Sequence, residues 1–395
     1  MRKLSWAVLC VALVACEKKT TTPTEAPKAN PDAATAAAAA PAGDDVILIG
    51  EVGSLTGAQA AFGISTRNGI DLAVEEANEA GGVQGKKLAV RVYDDQSKPE
   101  EAASAVTRLL TQDKVKLILG EVASSNSLAM APKAQAAKVP MITPSSTAES
   151  VTQVGDYIFR VCFIDPFQGY VMAKFAREEL KFNTAAMLKD VKSAYSVGLT
   201  EVFERKFTEM GGKVVGTESY SQGDSDFRAQ LTAIKKLKPQ GLYIPGYYND
   251  VGAIAQQAEE LGLKTVLMGG DGWDGPPLFE LGGKAIEGSY VSNHYSAEDP
   301  SPLVQNFIKK YQEKYKVIPD SLAALGYDSA RVGIDAMKRA ASLDGPALRD
   351  AIAQTKEFPG VAGAITLNAK RDAEKPAVVL QVKDGKFRYV ATVKP

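Results

Sequence analysis

Four polar clusters in this sequence each follow an apolar run of strand length. Gly120-Glu121-Val122-Ala123-Ser124-Ser125 follows 117–119, Thr143-Pro144-Ser145-Ser146-Thr147 follows 141–142, Pro245-Gly246-Tyr247-Tyr248 follows 242–244, and Gly269-Gly270-Asp271-Gly272-Trp273 follows 266–268. Open parallel sheets bind ligands beyond the carboxyl ends of their strands, so binding chemistry is expected at these positions. The first two clusters offer hydroxyls and backbone N–H groups near helix N-termini, which suit an anion such as a carboxylate. The other two offer phenols and the Asp271 carboxylate, which suit an ammonium, with an aromatic wall adding cation–π attraction. Together they fit a zwitterion. The competing reading is that Ser124, Ser125, Ser145 and Ser146 cap helices or turns and that Tyr247 is core. It accounts for each cluster singly, but not for all four standing at strand ends.

Other chemistries find little support. His294 is the only histidine, no Gly-x-Ser-x-Gly elbow occurs, and Cys162 lies in the apolar stretch 159–163 without a base beside it, so no enzyme is expected. One histidine and one thiol cannot form a structural zinc site, and Asp224-Ser225-Asp226 lacks the rest of a calcium loop, so neither metal nor cofactor is expected. His294 reads as a satisfied surface or hinge residue, and Cys162 as a small buried hydrophobe. Gly270-Asp271-Gly272-Trp273-Asp274-Gly275 has dinucleotide spacing, but Pro276-Pro277 follow and its two carboxylates would repel phosphates. A net charge of −1 leaves no nucleic-acid footprint.

The clusters need a scaffold of alternating strands and helices, and the sequence provides it twice. Strands are expected at 46–49, 88–93, 117–119 and 141–142, with helices around 70–77, 99–110 and 128–137 between them. A second set places strands at 185–188, 214–215, 242–244 and 266–268, with helices through 197–207, 227–237 and 254–261. Such βαβ alternation calls for an α/β protein with two doubly wound parallel sheets. Beyond 295 the order changes to helices at 303–315, 322–340 and 348–353, then a hairpin of 378–382 and 387–393 whose Asp384-Gly385 suits a type I′ turn. This arrangement implies two interleaved lobes joined by several crossovers.

The N-terminus carries an address. Arg2 and Lys3 precede an apolar run over 4–14 that is too short for a permanent membrane span. The ending Leu13-Val14-Ala15-Cys16 resembles a lipobox, so 1–15 reads as a lipoprotein signal peptide and Cys16 as the lipidated residue; an ordinary secretory signal is the alternative. Residues 16–45, rich in Ala, Pro, Thr and Lys, read as a disordered tether reaching on the order of 30 Å. The expected location is a bacterial periplasm, anchored by lipid to the inner or outer membrane.

Several ordered stretches resemble the leucine/isoleucine/valine receptors of branched-chain amino acid ABC transporters. They are Ser54-Leu55-Thr56-Gly57, Ala80-Gly81-Gly82-Val83-Gln84-Gly85-Lys86-Lys87-Leu88, Tyr93-Asp94-Asp95, Met141-Ile142-Thr143-Pro144 and Gly269-Gly270-Asp271-Gly272. The resemblance implies a type I periplasmic binding fold, two lobes joined by a three-stranded hinge, with lobe one at 46–163 plus 296–360 and lobe two at 164–295 plus 361–395. It implies that Ser124, Ser145 and Thr147 hold the ligand's carboxylate, with Ala123 and Ser146 alongside. Tyr247 and Asp271 would reach the ammonium, Tyr195 would cover the site and Phe62 would pack over the ligand. Tyr248 and Trp273 are expected to narrow the side-chain pocket. The implied function is a monomeric receptor that closes by hinge motion on an amino acid and delivers it to an ABC permease. A periplasmic sensor for a membrane signalling protein, or a receptor for an amide, urea or aromatic acid, stands as the alternative.

Overall fold

The first strand, β1 (Val46–Gly53), begins with alternating burial and ends fully buried, because helices pack on both faces of the sheet there. The computed structural model describes residues 46–395; the signal peptide, the tether and Cys16 lie outside the described residues. β1 belongs to a parallel sheet of five strands in the order β2 (Lys87–Asp94), β1, β3 (Leu117–Leu119), β4 (Met141–Thr143) and β5 (Ile158–Arg160). The crossovers are α1 (Ala60–Glu79), α2 (Pro99–Arg108), α3 (Ser124–Ala137) and the single turn α4 (Ser150–Gln153).

A second sheet repeats that winding. β6 (Thr184–Asp190), β7 (Lys213–Tyr220), β8 (Gly241–Tyr243), β9 (Val266–Gly269) and β10 (Tyr290–Asn293) run parallel in the spatial order β7-β6-β8-β9-β10. Their helices are α5 (Asp165–Glu178), α6 (Ala194–Glu209), α7 (Arg228–Leu237), α8 (Tyr248–Glu260) and α9 (Pro276–Gly282). The expected α/β class with two doubly wound lobes is what the chain forms. Two strands of the parallel sheets escaped the sequence reading, β5 and β10. Each is three or four residues long, and β5 ends on the fully buried Arg160, so neither offers the uninterrupted apolar run that identifies a central strand.

After β10 the chain returns to the first lobe through α10 (Pro302–Tyr315), α11 (Ser321–Arg339) and α12 (Gly345–Ala353), whose apolar faces share one core with Ile49, Leu117 and Ile142. Val361, Ala362, Ile365, Leu367 and Ala373 belong to that same core, and β11 (Thr366–Leu367) pairs with β12 (Ala373–Glu374) in a small hairpin. The segment 361–374 therefore sits with lobe one, whereas the sequence reading places it with lobe two. The physical cause is a long-range ion pair: Asp372 meets Arg160 at 2.7 Å with both side chains buried, and Arg371 donates to the Ile158 carbonyl. The chain joins the second sheet only at β13 (Ala377–Lys383), which pairs antiparallel with β10, and β14 (Lys386–Val393), which pairs antiparallel with β13. Their turn has φ of +55° at Asp384 and +66° at Gly385, as a type I′ turn requires. Three crossovers thus link the lobes, at 161–164, 294–301 and 375–376.

The pair α1–α11 sets the shape of lobe one near the cleft. A Cβ on Gly69 would stand 2.0 Å from the Ala323 carbonyl oxygen, and one on Gly326 would stand 2.3 Å from that of Thr66, so two glycines let the helix backbones touch. The Gly326→Ala variant is expected to lose about 1–3 kcal/mol of stability, as overpacked cores do. A thermal or urea midpoint equal to that of the parent would show that the helices can part without cost.

Candidate ligand-binding site

Lobe one presents the ends of β3 and β4. β3 gives way to Gly120-Glu121-Val122-Ala123, and α3 then starts at Ser124, four residues earlier than the sequence periodicity suggests. Ser, Ser, Asn and Ser fill its first turn, where hydroxyl residues are tolerated and the first three N–H groups have no intrahelical acceptors. Lobe two presents the start of α6, where Ser193 caps the helix and Tyr195 lies in its first turn, together with Tyr247 ahead of α8 and Asp271 in the turn after β9.

These elements enclose a small cavity lined by Phe62, Val122, Ser124, Ser145, Thr147, Tyr195, Tyr247, Asp271, Gly272 and Leu322. All ten are buried, so the cleft is closed. Direct bonds between the lobes hold it so: the Ala61 N–H donates to Tyr248 Oη at 3.3 Å, and the Ala194 N–H donates to Ser125 Oγ at 3.2 Å. Phe62 meets Tyr247 and Tyr248 edge-on, with centroids 5.7 and 4.8 Å apart.

The cavity wall combines polar and apolar side chains from both lobes. Lobe one contributes the α3 N-terminus, Ser124, Ser145 and Thr147, whose Oγ1 lies beside the Asp165 carboxyl. On lobe two, Asp271 Oδ2 is 2.9 Å from His294 Nε2, whereas Asp271 Oδ1 is buried without a partner. The Asp271 N–H donates to Gln168 Oε1 at 2.9 Å, and Gln168 Oε1 also accepts from Ser292 Oγ, which fixes the turn on β10. Tyr195 stacks on Tyr247 at 5.4 Å and accepts the Gly272 N–H through its hydroxyl. A buried carboxylate oxygen without a donor and a helix end without acceptors are complementary to an ammonium and a carboxylate on one small molecule.

Seven of the expected site residues thus converge: Phe62, Ser124, Ser145, Thr147, Tyr195, Tyr247 and Asp271. Ala123 and Ser146 do not line the cavity. The Ala123 N–H donates to Glu121 Oε2 at 2.5 Å, and Ser146 Oγ donates to the Glu121 and Val122 carbonyls and meets Ser127 Oγ, so both brace the loop instead. Burial pushes the Glu121 carboxyl well above its ordinary range, and the Asp95 charge adds to the effect. Tyr248 and Trp273 do not narrow the cavity either. Trp273 turns its indole N–H to the Ile244 carbonyl at 2.9 Å, and Tyr248 faces α1.

The sequence reading missed the apolar liners Val122 and Leu322, along with His294, which is buried rather than at the surface. His294 does lie on a crossover, where its ring stacks on Phe163 at a centroid distance of 3.7 Å. Its only sequence signal was its place behind an unrecognised strand. Cys162 is buried, as expected, and desolvation pushes its thiol up to about 12.

The geometry defines a class: a two-lobed α/β receptor that closes over a small solute, the type I periplasmic binding fold. The family model described as "Periplasmic binding protein" matches residues 46–386, and the chain belongs to that family, whose members are extracytoplasmic solute-binding receptors rather than enzymes. Among relatives, it is 33% identical to the leucine-, isoleucine-, valine-, threonine- and alanine-binding protein of Pseudomonas aeruginosa, over 80% of this chain and 84% of that protein. The crystal structure of a leucine binding protein, LivK, from Thermotoga maritima superposes with a TM-score of 0.85 at 41% identity, covering 88% of this chain and 99% of that one. The branched-chain amino acid transporter substrate-binding protein LivJ of Streptococcus pneumoniae, in complex with isoleucine, gives 0.84 at 33% identity, covering 89% and 100%.

Asp165 tests how costly the site is without its ligand. Desolvation raises its carboxyl from 3.8 to about 7, with the Asp271 charge adding to the rise. Because the folded value is raised, the stability it contributes is full below pH 4 and is lost as pH climbs through 7. In the ligand-free protein, Asp165→Asn should remove a pH-dependent loss of about 2–4 kcal/mol between pH 4 and 7. Thermal midpoints of variant and parent should therefore diverge across that window; parallel curves would show that Asp165 titrates normally.

Proposed function

We propose that this protein is an extracytoplasmic receptor that takes up a branched-chain amino acid as the zwitterion between its lobes and delivers it to an ABC permease. The observation that carries the reading is the closed cavity between the lobes, to which lobe two brings the unpartnered Asp271 Oδ1, lobe one brings the α3 N-terminus, Ser124, Ser145 and Thr147, and Phe62, Val122 and Leu322 add apolar surface. The ligand's ammonium meets Asp271 inside an aromatic wall, its carboxylate meets Ser124, Ser145 and Thr147, and its aliphatic side chain packs on the apolar surface. The names of the relatives agree with this chemistry, leucine and isoleucine among them. Since both lobes contribute contacts, the ligand stabilises the closed form by its differential affinity, and closure is the signal a permease reads.

Calorimetry with L-leucine, L-isoleucine and L-valine tests the reading. Asp271→Ala should weaken each by about 100-fold, the effect of leaving a buried charge unpaired, and Thr147→Val by about tenfold. The methyl esters and amides of the same amino acids should bind far more weakly than the acids. Equal binding of L-isoleucine to the parent and to Asp271→Ala would sink the ammonium assignment, and tight binding of the esters would sink the carboxylate assignment.

The lipobox-like ending at Cys16 supports a second part of the proposal: the receptor is a lipid-anchored monomer, held on its Ala/Pro leash near the permease at raised effective concentration. Cys16→Ser should move the protein from the membrane to the soluble fraction and leave ligand affinity unchanged. A variant that stays with the membrane would argue for another mode of attachment.

A further inference from the structure

We propose that His294 is a positioning residue for the ligand's ammonium and that, by sharing Asp271 with the ligand, it makes affinity fall in acid. This rests on the reading of Asp271 as the ammonium's partner. His294 opens the second crossover directly after β10, and its imidazole is almost fully buried. The ring lies against Phe163 of the first crossover at a 24° interplanar angle, which prevents it from swinging away. Nε2 is 2.9 Å from Asp271 Oδ2, and Nδ1 has no partner, so the partners assign the proton to Nε2 and the lone pair to Nδ1. The imidazole thus donates to one oxygen of Asp271 and leaves the other facing the cavity.

The same contact couples ligand to proton. With a neutral imidazole, Asp271 keeps its negative charge for the ammonium. A protonated imidazole would neutralise that charge from behind and set a second cation about one carboxylate's width from the ligand's own. The charged groups facing His294 are Asp271 and Asp274 on the turn after β9 and Lys375 on the third crossover, with Phe163 uncharged on its ring face. Asp274 Oδ2 is engaged by Asn293 Nδ2 and the Ser321 N–H, each at 2.9 Å, so Asp271 is the carboxylate that meets the ring directly. Burial lowers the imidazole below its ordinary 6.5, against the pull of the Asp271 hydrogen bond, so it is neutral at pH 7 and charges only in acid. A bound ammonium favours the neutral ring further, and by linkage an acidic medium must weaken the ligand. Leucine, isoleucine and valine keep both of their own charges across pH 5 to 7.5, so that slope belongs to the protein.

Because His294 is the only histidine in the chain, one imidazole resonance reports on it in the unmodified protein. An NMR pH titration should place its pKa lower in the L-isoleucine complex than in the ligand-free protein. Identical values in the two states overturn the proposal. Calorimetry supplies the second readout. Isoleucine affinity of the parent should drop about tenfold from pH 7.5 to 5.0, with a proton released on binding at the acid end, revealed by buffers of different ionisation enthalpy. His294→Gln, whose amide can donate where Nε2 does but cannot titrate, should stay within about threefold of the parent at pH 7.5 and lose most of the acid effect. His294→Leu should bind weakly at both pH values. Should His294→Gln keep the parent's full pH slope, Asp165 or another group is responsible and the coupling is refuted; should His294→Leu bind as the parent does at pH 7.5, the positioning role is refuted. If Asp271→Asn binds isoleucine as tightly as the parent, the fault lies in the ammonium reading itself.

Discussion

A carboxylate taken out of water with one oxygen unpaired is costly, and this protein keeps one at Asp271 between its two lobes. Much of the surrounding structure manages that cost. Gln168 and Ser292 fix the turn that carries it, His294 supplies one donor, and the closed lobes exclude solvent from the remaining oxygen. In the proposed function, the missing donor is an ammonium on the ligand. A closed cleft without its cation is therefore under electrostatic tension, and opening the lobes relieves it by letting water reach the carboxylate. Ligand recognition and lobe motion are in this sense one electrostatic balance.

The fold brings the partners of that balance together from distant parts of the chain. Both sheets wind in the same order, so each directs the carboxyl ends of its central strands toward the cleft, and the two sets of loops face one another. Lobe one contributes a helix end and hydroxyls; lobe two contributes phenols and the acid. The apolar surface depends on a separate device, the glycine contact between α1 and α11, which brings Phe62 on one helix and Leu322 on the other to the same cavity wall.

What the sequence made legible follows from how local each signal is. Asp271, Tyr247, Ser145 and Thr147 were legible because polar or aromatic residues directly after an apolar run imply a strand end, and strand ends imply a cleft. The doubly wound lobes were legible from periodicity, and the β13–β14 turn from Asp384-Gly385. Leu322 was not, since a leucine at the start of a helix carries no chemistry until the fold sets it beside Phe62. His294 looked peripheral because its partner lies 23 residues away and its burial depends on Phe163 from another crossover. The place of 361–374 was hidden because it is set by Arg160 and Asp372, more than 200 residues apart in sequence. Trp273 and Tyr248 misled in the opposite direction: their positions were right for a pocket wall, but an indole N–H seeks a carbonyl, and Tyr248 turns to α1.

The return of 302–374 to lobe one has a consequence for how the chain comes into being. The first sheet is made early, but its core includes α10, α11, α12 and the β11–β12 hairpin, which leave the ribosome only after the parallel strands of lobe two. The buried charge of Arg160 likewise waits for Asp372. Lobe one cannot complete its folding while the chain is growing, and these contacts of large sequence separation are slow to form. For a protein of an extracytoplasmic family, such delay is an advantage: lobe one stays incomplete until nearly the whole chain has been made.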